Sequence, residues 1–420
     1  MCLLKYVLIF GSLSLAVSAS AQNVAVGSCK PSLPSYPTIQ QAVNSVPSGT
    51  TIQVCPGQYP EQVVINKNLT VKGIVSGGQG AAIVTSPAGG MVANTNSLVL
   101  PAARPIAAQL LVQAPATTVN ISNITVDGSN NGITGCDPNL IGIYFQNASG
   151  TVTRTAILNQ ALGAGLEGCQ SGLGIFAQSG GGGSSTVNIN NNHVEGYQKN
   201  GITGNEFGTN ITVTSNTVIG QGPTMGAAEN SIQIGFGAAG TITKNTVGSD
   251  VWAPDTISDP GDAAAGILVY ASNGVNITSN NVSDTQSGIA VVTNPDFGSA
   301  DNSLVSKNTV SGTHIFDGIE LCSNNNTANL NIVNGSDEAG IHVDDSCTGS
   351  STGNVVTKNT INSACAGILS GPGSTGNTTT QNTYYNVVTQ QLGNATQCTP
   401  PAKVQKKGGA RRATFHAARP

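Results

Sequence analysis

The chain is 420 residues long, and its 53 Gly and 19 Pro, about 17 % together, fall below the roughly 25–30 % typical of aperiodic disordered chains, so it folds. Charged residues make up only 9 % and aromatic residues 4 %, which excludes ion-pair networks and an aromatic-rich interior as its main support and leaves Asn, Gln, Ser, Thr and Gly for the surface. The net charge is −4, but without Lys5 and the six basic residues after position 400 there remain 9 basic residues against 20 acidic ones, near −11; this excludes nucleic acid as a main partner, because phosphate neutralisation needs a basic stripe.

Residues 1–21 read as a secretory signal, with Lys5 as the positive start, an apolar stretch over 6–17 and a small-residue cleavage site at Ala19-Ser20-Ala21. The mature chain is expected to begin near Gln22. No later apolar run reaches the roughly 18 residues of a membrane helix, so the product is expected to be secreted or periplasmic, with no transmembrane segment. Residues 35–46 then place Ile39, Ala42, Val43 and Val46 on one helical face behind a Thr38 cap, a short helix suited to plugging the open end of a solenoid. Residues 49–59 (Gly-Thr-Thr-Ile-Gln-Val-Cys-Pro-Gly-Gln-Tyr) and 62–73 supply the first strands and turns.

From about residue 118 one phrase recurs, Asn followed by short alternating runs of Thr, Ile or Val, at Asn123, Asn192, Asn216, Asn245, Asn281, Asn308, Asn359 and Asn382. A second, Gly-Ile, begins at Gly142, Gly174, Gly201, Gly266, Gly288, Gly318, Gly340 and Gly367, with Ser231-Ile232 substituting once. The successive spacings are 32, 27, 30, 35, 22, 30, 22 and 27 residues, a solenoid period with loops inserted on one side. The runs are too short for helices, and the two-residue turns of hairpins are missing, so each strand is predicted to pair in parallel with its copy in the next unit. The result is an all-β parallel β-helix over residues 22–399. Its Ile residues form an inward ladder, and Asn side chains stack at the corners. Leu is too sparse for a leucine-rich-repeat horseshoe.

The capping helix, the 51–59 segment and Asn68-Leu-Thr-Val-Lys-Gly resemble the opening of pectin-lyase-like, right-handed β-helix proteins, the group of pectate lyases, pectin methylesterases and polygalacturonases. The resemblance spans roughly residues 36–395. It implies a single-stranded right-handed β-helix, expected as a monomer, whose partner is extracellular or cell-wall polysaccharide. Of the polygalacturonase motifs only the Asp344-Asp345 doublet is present; Gly-His-Gly and Arg-x-Lys are absent. Residues 400–420, rich in Gly, Ala, Lys and Arg, read as a disordered basic tail.

Eight cysteines follow the signal, an even number in an exported chain. Spacing leaves 105 connectivities open; the neighbouring pairs Cys29/Cys55, Cys136/Cys169, Cys322/Cys347 and Cys365/Cys398 are each 25 to 33 residues apart, so each could staple adjacent turns, worth about 3–4 kcal/mol apiece.

Aligning the Gly-Ile phrases predicts an outward column of Tyr144, Phe176, Thr203, Gln233, Leu268, Ala290, Glu320, His342 and Leu369, and a second one two residues on, from Gln146 and Gln178 to Cys322 and Asp344. Charge concentrates in two adjacent coils, as Asp317, Glu320, His342, Asp344 and Asp345. Glu320 and Asp344 should lie about 8 Å apart at Cβ, within the span of an inverting glycosidase. Glu320 would then donate a proton, Asp344 or Asp345 would activate water, and His342 would tune both; the alternative is acidic residues bonding the backbone in Asx turns. Asp250, Asp255, Asp259 and Asp262 in the longest insertion offer hard oxygen ligands for calcium, or else a solvated loop. Tyr144 and Phe176, rimmed by Gln146 and Gln178, offer a platform for sugar rings unless residues 180–185 or 98–113 cover them. Two functions are expected of such a chain: a polysaccharide-binding surface solenoid, or a pectin-type hydrolase or calcium-dependent lyase.

Overall fold

The structure is a computed structural model that describes residues 23–75, 81–99, 103–252, 262–393, 414–415 and 417–420. The signal segment and most of the basic tail lie outside the described residues. Helix α1 (Ile39–Ser45) closes the N-terminal end as expected. Thr38 Oγ1 accepts from the Gln41 N–H at 3.1 Å, the Glu61 carboxylate takes the Ile39 and Gln40 N–H groups at 2.8 and 2.9 Å, and Ile39, Ala42 and Val43 face the interior. Among the described residues no helix is long and apolar enough to cross a membrane.

Beyond the helix the chain winds as a right-handed parallel β-helix with three strand-bearing faces. The first face runs through strands such as Thr209–Thr214 and Ala239–Thr243, the second through Thr246–Trp252 and Asn281–Thr285, and the third through Asn139–Gln146, Leu173–Gln178, Asn200–Asn205, Asn230–Gly235, Ala265–Tyr270, Ser287–Val292 and Ile319–Cys322. On the third face Ile143, Ile175, Ile202, Ile232, Ile267, Ile289, Ile319, Ile341 and Ile368 pair in unbroken register and point into one continuous core. The preceding Gly is a packing requirement: a Cβ on Gly288 would stand 2.2 Å from the Gly318 carbonyl oxygen.

The corner between the first and second faces explains the Asn phrase. Asn192, Asn216, Asn245, Asn280, Asn308, Asn331, Asn359 and Asn382 form a ladder in which each residue donates its backbone N–H and its Nδ2 to Oδ1 of the Asn one coil on. Asn216 Nδ2 also donates to the Ile189 carbonyl at 2.9 Å. The residue before each ladder Asn is left-handed although none is Gly, with Ser215 at φ 56° and Lys244 at φ 57°. That conformation costs about 1–2 kcal/mol, and the amide bonds it permits offset the cost at every turn. The ladder ends on the Thr155 N–H, bonded to Asn192 Oδ1 at 3.0 Å. Two expected members differ. Asn281 is an exposed strand residue beside the ladder's Asn280, and Asn123 itself occupies the left-handed position at φ 55°.

Disulfides Cys29–Cys55, Cys136–Cys169 and Cys322–Cys347 join the expected pairs. Cys365 is also disulfide-bonded, and Cys398 lies outside the described residues. Part of the 98–113 stretch, far from being a mere excursion, is a third-face strand, Pro105–Gln113, paired with Asn139–Gln146. The end of the basic tail is not loose either: Thr414–Phe415 pairs in parallel with Asp262–Ala263, and Phe415 and Ala418 are buried.

Asn280→Ala is expected to lower the free energy of unfolding by about 2–4 kcal/mol, because the Asn245 N–H loses its buried acceptor. Asn281→Ala should stay within about 0.5 kcal/mol. Denaturant titration of both variants checks this; equal effects would remove the ladder's role.

Candidate functional site

Alternation along the third face turns Ile319, Leu321, Ile341 and Val343 inward, which leaves Glu320 and His342 outward and in register, between Ala290 on one side and Leu369 on the other. Asp317, in the turn before the strand, holds the imidazole: its Oδ2 lies 2.9 Å from His342 Nδ1 while its Oδ1 accepts the Ala339 N–H at 2.9 Å. On the far side His342 Nε2 is 3.8 Å from Asp344 Oδ1. The structure therefore gathers Asp317, Glu320, His342 and Asp344. Asp345 does not join them, because its carboxylate turns toward the next coil and takes the Gly373 N–H. Asp344 also accepts from the Ser346 N–H and hydroxyl, the Asx contacts of a turn.

The sequence placed these residues in outward columns, and the structure makes them a buried cluster. Glu320 is 2 % exposed, His342 5 % and Asp344 6 %. Apolar groups flank it along the face, Leu268, Ala290, Phe316 and the tail's Phe415 on one side, Ala339, Ala366 and Leu369 on the other. Burial raises the Glu320 carboxyl well above the usual carboxylate range, and the Asp344 and Asp317 charges raise it further. Among the described residues Glu320 Oε2 has no hydrogen-bond partner. For His342, burial disfavours the imidazolium, but the Asp317 charge and hydrogen bond, with Asp344 and Glu338, overcome it and raise the pKa to about 10. A carboxyl with raised proton affinity beside a histidine–carboxylate pair is suited to proton transfer.

A second acidic group escaped the sequence reading. Asp250 and Glu229, buried at the corner between the second and third faces, lie with Tyr197, Lys199 and Ser231. Tyr197 donates to Asp250 Oδ1 at 2.7 Å and Ser231 to Oδ2 at 2.5 Å. Burial raises Asp250 to about 8, despite the Ser231, Tyr197 and Lys199 contacts. Glu229 rises well above its usual range, by burial and then by the Asp250 charge. This corrects the calcium assignment: Asp250 faces the interior and its oxygens are taken. Asp255 and Asp259 lie outside the described residues, as does the side chain of Asp262. The missed signal was positional. Lys199 and Glu229 each stand two places before a Gly-Ile or Ser-Ile phrase, in adjoining coils.

The aromatic platform is also corrected. Tyr144 and Phe176 stack at 5.0 Å and 12° in the predicted column, but both are fully buried. Segment 95–98 covers them: the Leu98 N–H and Tyr144 hydroxyl both donate to Gln178 Oε1, and Gln146 bonds Thr95 and Asn96. Rings less enclosed occur farther along the face, where Phe236, Tyr270 and Phe297 cluster next to Glu206, Asn205 and Gln233. The chain's own end lies against them. Ala418 bonds Asn205 and Gln233, and Arg419 sits over two of the rings.

Against known proteins, residues 228–387 match a family model described as "Periplasmic copper-binding protein (NosD)". No curated protein matches. Among solved structures, a GH136 lacto-N-biosidase from Eubacterium ramulus superposes with a TM-score of 0.58 at 13 % identity, over 87 % of this chain and 68 % of that one. DFA-IIIase from Arthrobacter chlorophenolicus A6, without its lid and in complex with GF2, gives 0.54 at 15 %, over 96 % and 100 %. Both are β-helix glycoside hydrolases, and at this identity they bear on the fold alone. The disulfides agree with an oxidising compartment, as does the matched periplasmic family. Copper fits poorly: among the described residues, the group with ligand atoms close enough together is Cys322, Asp344 and Cys347, and its two sulfurs are joined in a disulfide.

Because folding raises the His342 pKa to about 10 from an ordinary 6.5, the unfolded chain releases that proton first as pH rises. The stabilisation is complete below pH 6.5 and is lost progressively toward pH 10. Asp250 acts with the same sign between about pH 4 and 8. Denaturant midpoints measured from pH 6.5 to 10 should fall, and Asp317→Asn should flatten the decline; an unchanged slope in that variant would refute the assigned pairing.

Proposed function

We propose that this chain is an exported β-helix protein that binds extracellular polysaccharide along its third face. The observation that carries this is the strip in which successive coils present Asn205 and Glu206, then Gln233 and Phe236, then Tyr270, with Phe297 alongside. Planar amides and a carboxylate suit sugar hydroxyls, which both donate and accept, and ring faces suit the apolar side of a sugar. The parallel register repeats these groups at about 4.8 Å per coil, so the strip is extended, as a chain-like ligand requires.

One observation favours hydrolysis as a second activity. The Glu320 carboxyl is raised well above the usual carboxylate range, one of its buried oxygens has no partner among the described residues, and it stands beside the Asp317–His342 pair, with the Asp344 carboxylate across the imidazole. A raised carboxyl suits a glycosidase general acid. The fold neighbours include a lacto-N-biosidase and DFA-IIIase, so a β-helix of this kind can carry glycan hydrolysis.

Affinity gel electrophoresis against a panel of neutral and uronate polysaccharides, with and without calcium, tests binding. Retardation is expected, and Asn205→Ala with Gln233→Ala should weaken it about tenfold, on the order of 1.4 kcal/mol. Failure of every polysaccharide to retard the protein would end the binding assignment. Any reducing-end release should vanish in Glu320→Gln while retardation persists; release that survives would clear Glu320 of the acid's role.

A further inference from the structure

The last residues of the chain lie along the third face in a way that tail composition does not explain. Ala418 is held by its backbone in both directions. Its N–H donates to Gln233 Oε1 at 2.8 Å, and its carbonyl accepts from Gln233 Nε2 at 3.0 Å and Asn205 Nδ2 at 2.6 Å. Both amides are fully buried. The next residue is read by its side chain. Arg419 Nε and Nη2 fork onto Glu206 at 2.9 and 3.1 Å, and its guanidinium carbon lies 4.5 Å from the Phe236 ring centre and 4.9 Å from that of Phe297. A bidentate carboxylate and two rings are what an arginine, and not a lysine, satisfies. Upstream, Phe415 enters the apolar cluster of Leu268, Ala290 and Phe316.

The groove is also held in shape at a conformational cost. Glu206 and Phe236, which both grip Arg419, follow register partners Asn205 and Gly235 and occupy left-handed backbone at φ 73° and 57°. Neither is Gly or Asn, and such positions cost of order 1–3 kcal/mol each, persisting where the surroundings over-determine them. Phe297 remains 48 % exposed even with Arg419 against it.

We propose that this groove is a binding site for an arginine-bearing peptide segment, and that its occupant is the protein's own residues 415 and 417–420, seated where polysaccharide would otherwise lie. The second clause rests on the function proposed above; the first does not. The terminus thus acts as an internal competitor. Glycan contact with Asn205, Gln233 and Phe236 requires its displacement, because the same amide and ring atoms serve both.

Hydrogen exchange on the full chain tests the occupancy. The Ala418 amide should exchange at least about tenfold more slowly than in the free seven-residue peptide 414–420. Glu206→Gln should erase most of that difference while strand Asn230–Gly235 stays protected, which separates release from unfolding. Free-peptide rates in the unaltered chain would overturn the proposal. So would protection that grows with protein concentration, which would make a second copy the occupant. As a second measurement, fluorescence anisotropy of the labelled peptide should report binding to full-length chain carrying Phe415→Ala and Arg419→Ala, and at least about tenfold weaker binding to the unaltered chain. Absence of binding to the double variant, or equal binding to both, refutes it. Polysaccharide retardation should strengthen in the double variant. If the peptide binds and no polysaccharide does, the self-docking groove stands and the glycan function falls.

Discussion

From Asn192 to Asn382 the coils turn one corner on an Asn side chain whose amide bonds the neighbouring coils. The left-handed residue before it is unfavourable alone, and the Asn bonds satisfy the backbone groups that the corner exposes. Because every amide must meet its copy one coil on, the corner locks the register of the strands that follow. Chain segments 22 to 35 residues apart are thereby stacked at the spacing of a β-sheet. The inward Ile ladder and the Gly that lets adjacent backbones approach depend on this register and reinforce it.

The same register governs electrostatics on the third face. Glu320 stands in register between Ala290 and His342, and Glu229 is buried close to Asp250 and Lys199. Desolvation is the largest influence on both, and it raises their carboxyls well above the usual carboxylate range. His342 escapes the usual effect of burial because Asp317 reaches it from the preceding turn.

Coverage is what separates a column of side chains from a usable surface. Segment 95–98 encloses the Tyr144–Phe176 stack, and the terminal residues enclose part of the strip farther along. Both covers are held by Gln and Asn amides at outward positions, so the groups that suit a polysaccharide are the ones the protein's own backbone already occupies.

Periodicity in the sequence was sufficient for the coil register, down to which residues stand side by side in both outward columns, because an interior that admits one Ile per coil and a Gly where backbones touch leaves no other alignment. It pointed also to the capping helix and, among the 105 connectivities it left open, to the neighbouring cysteines that the structure joins in three described disulfides. It misplaced two ladder members by a single residue, at Asn281 and Asn123, and passed over Asn331, because Asn residues look alike until backbone handedness distinguishes them. Only the tertiary structure decided what is open and what is covered. Asp250 turns inward, the cluster at Glu320 is enclosed, and the chain's final residues return to coils about 200 positions earlier in the sequence. Periodicity carries no information about such contacts, because they join the repeat to segments outside it.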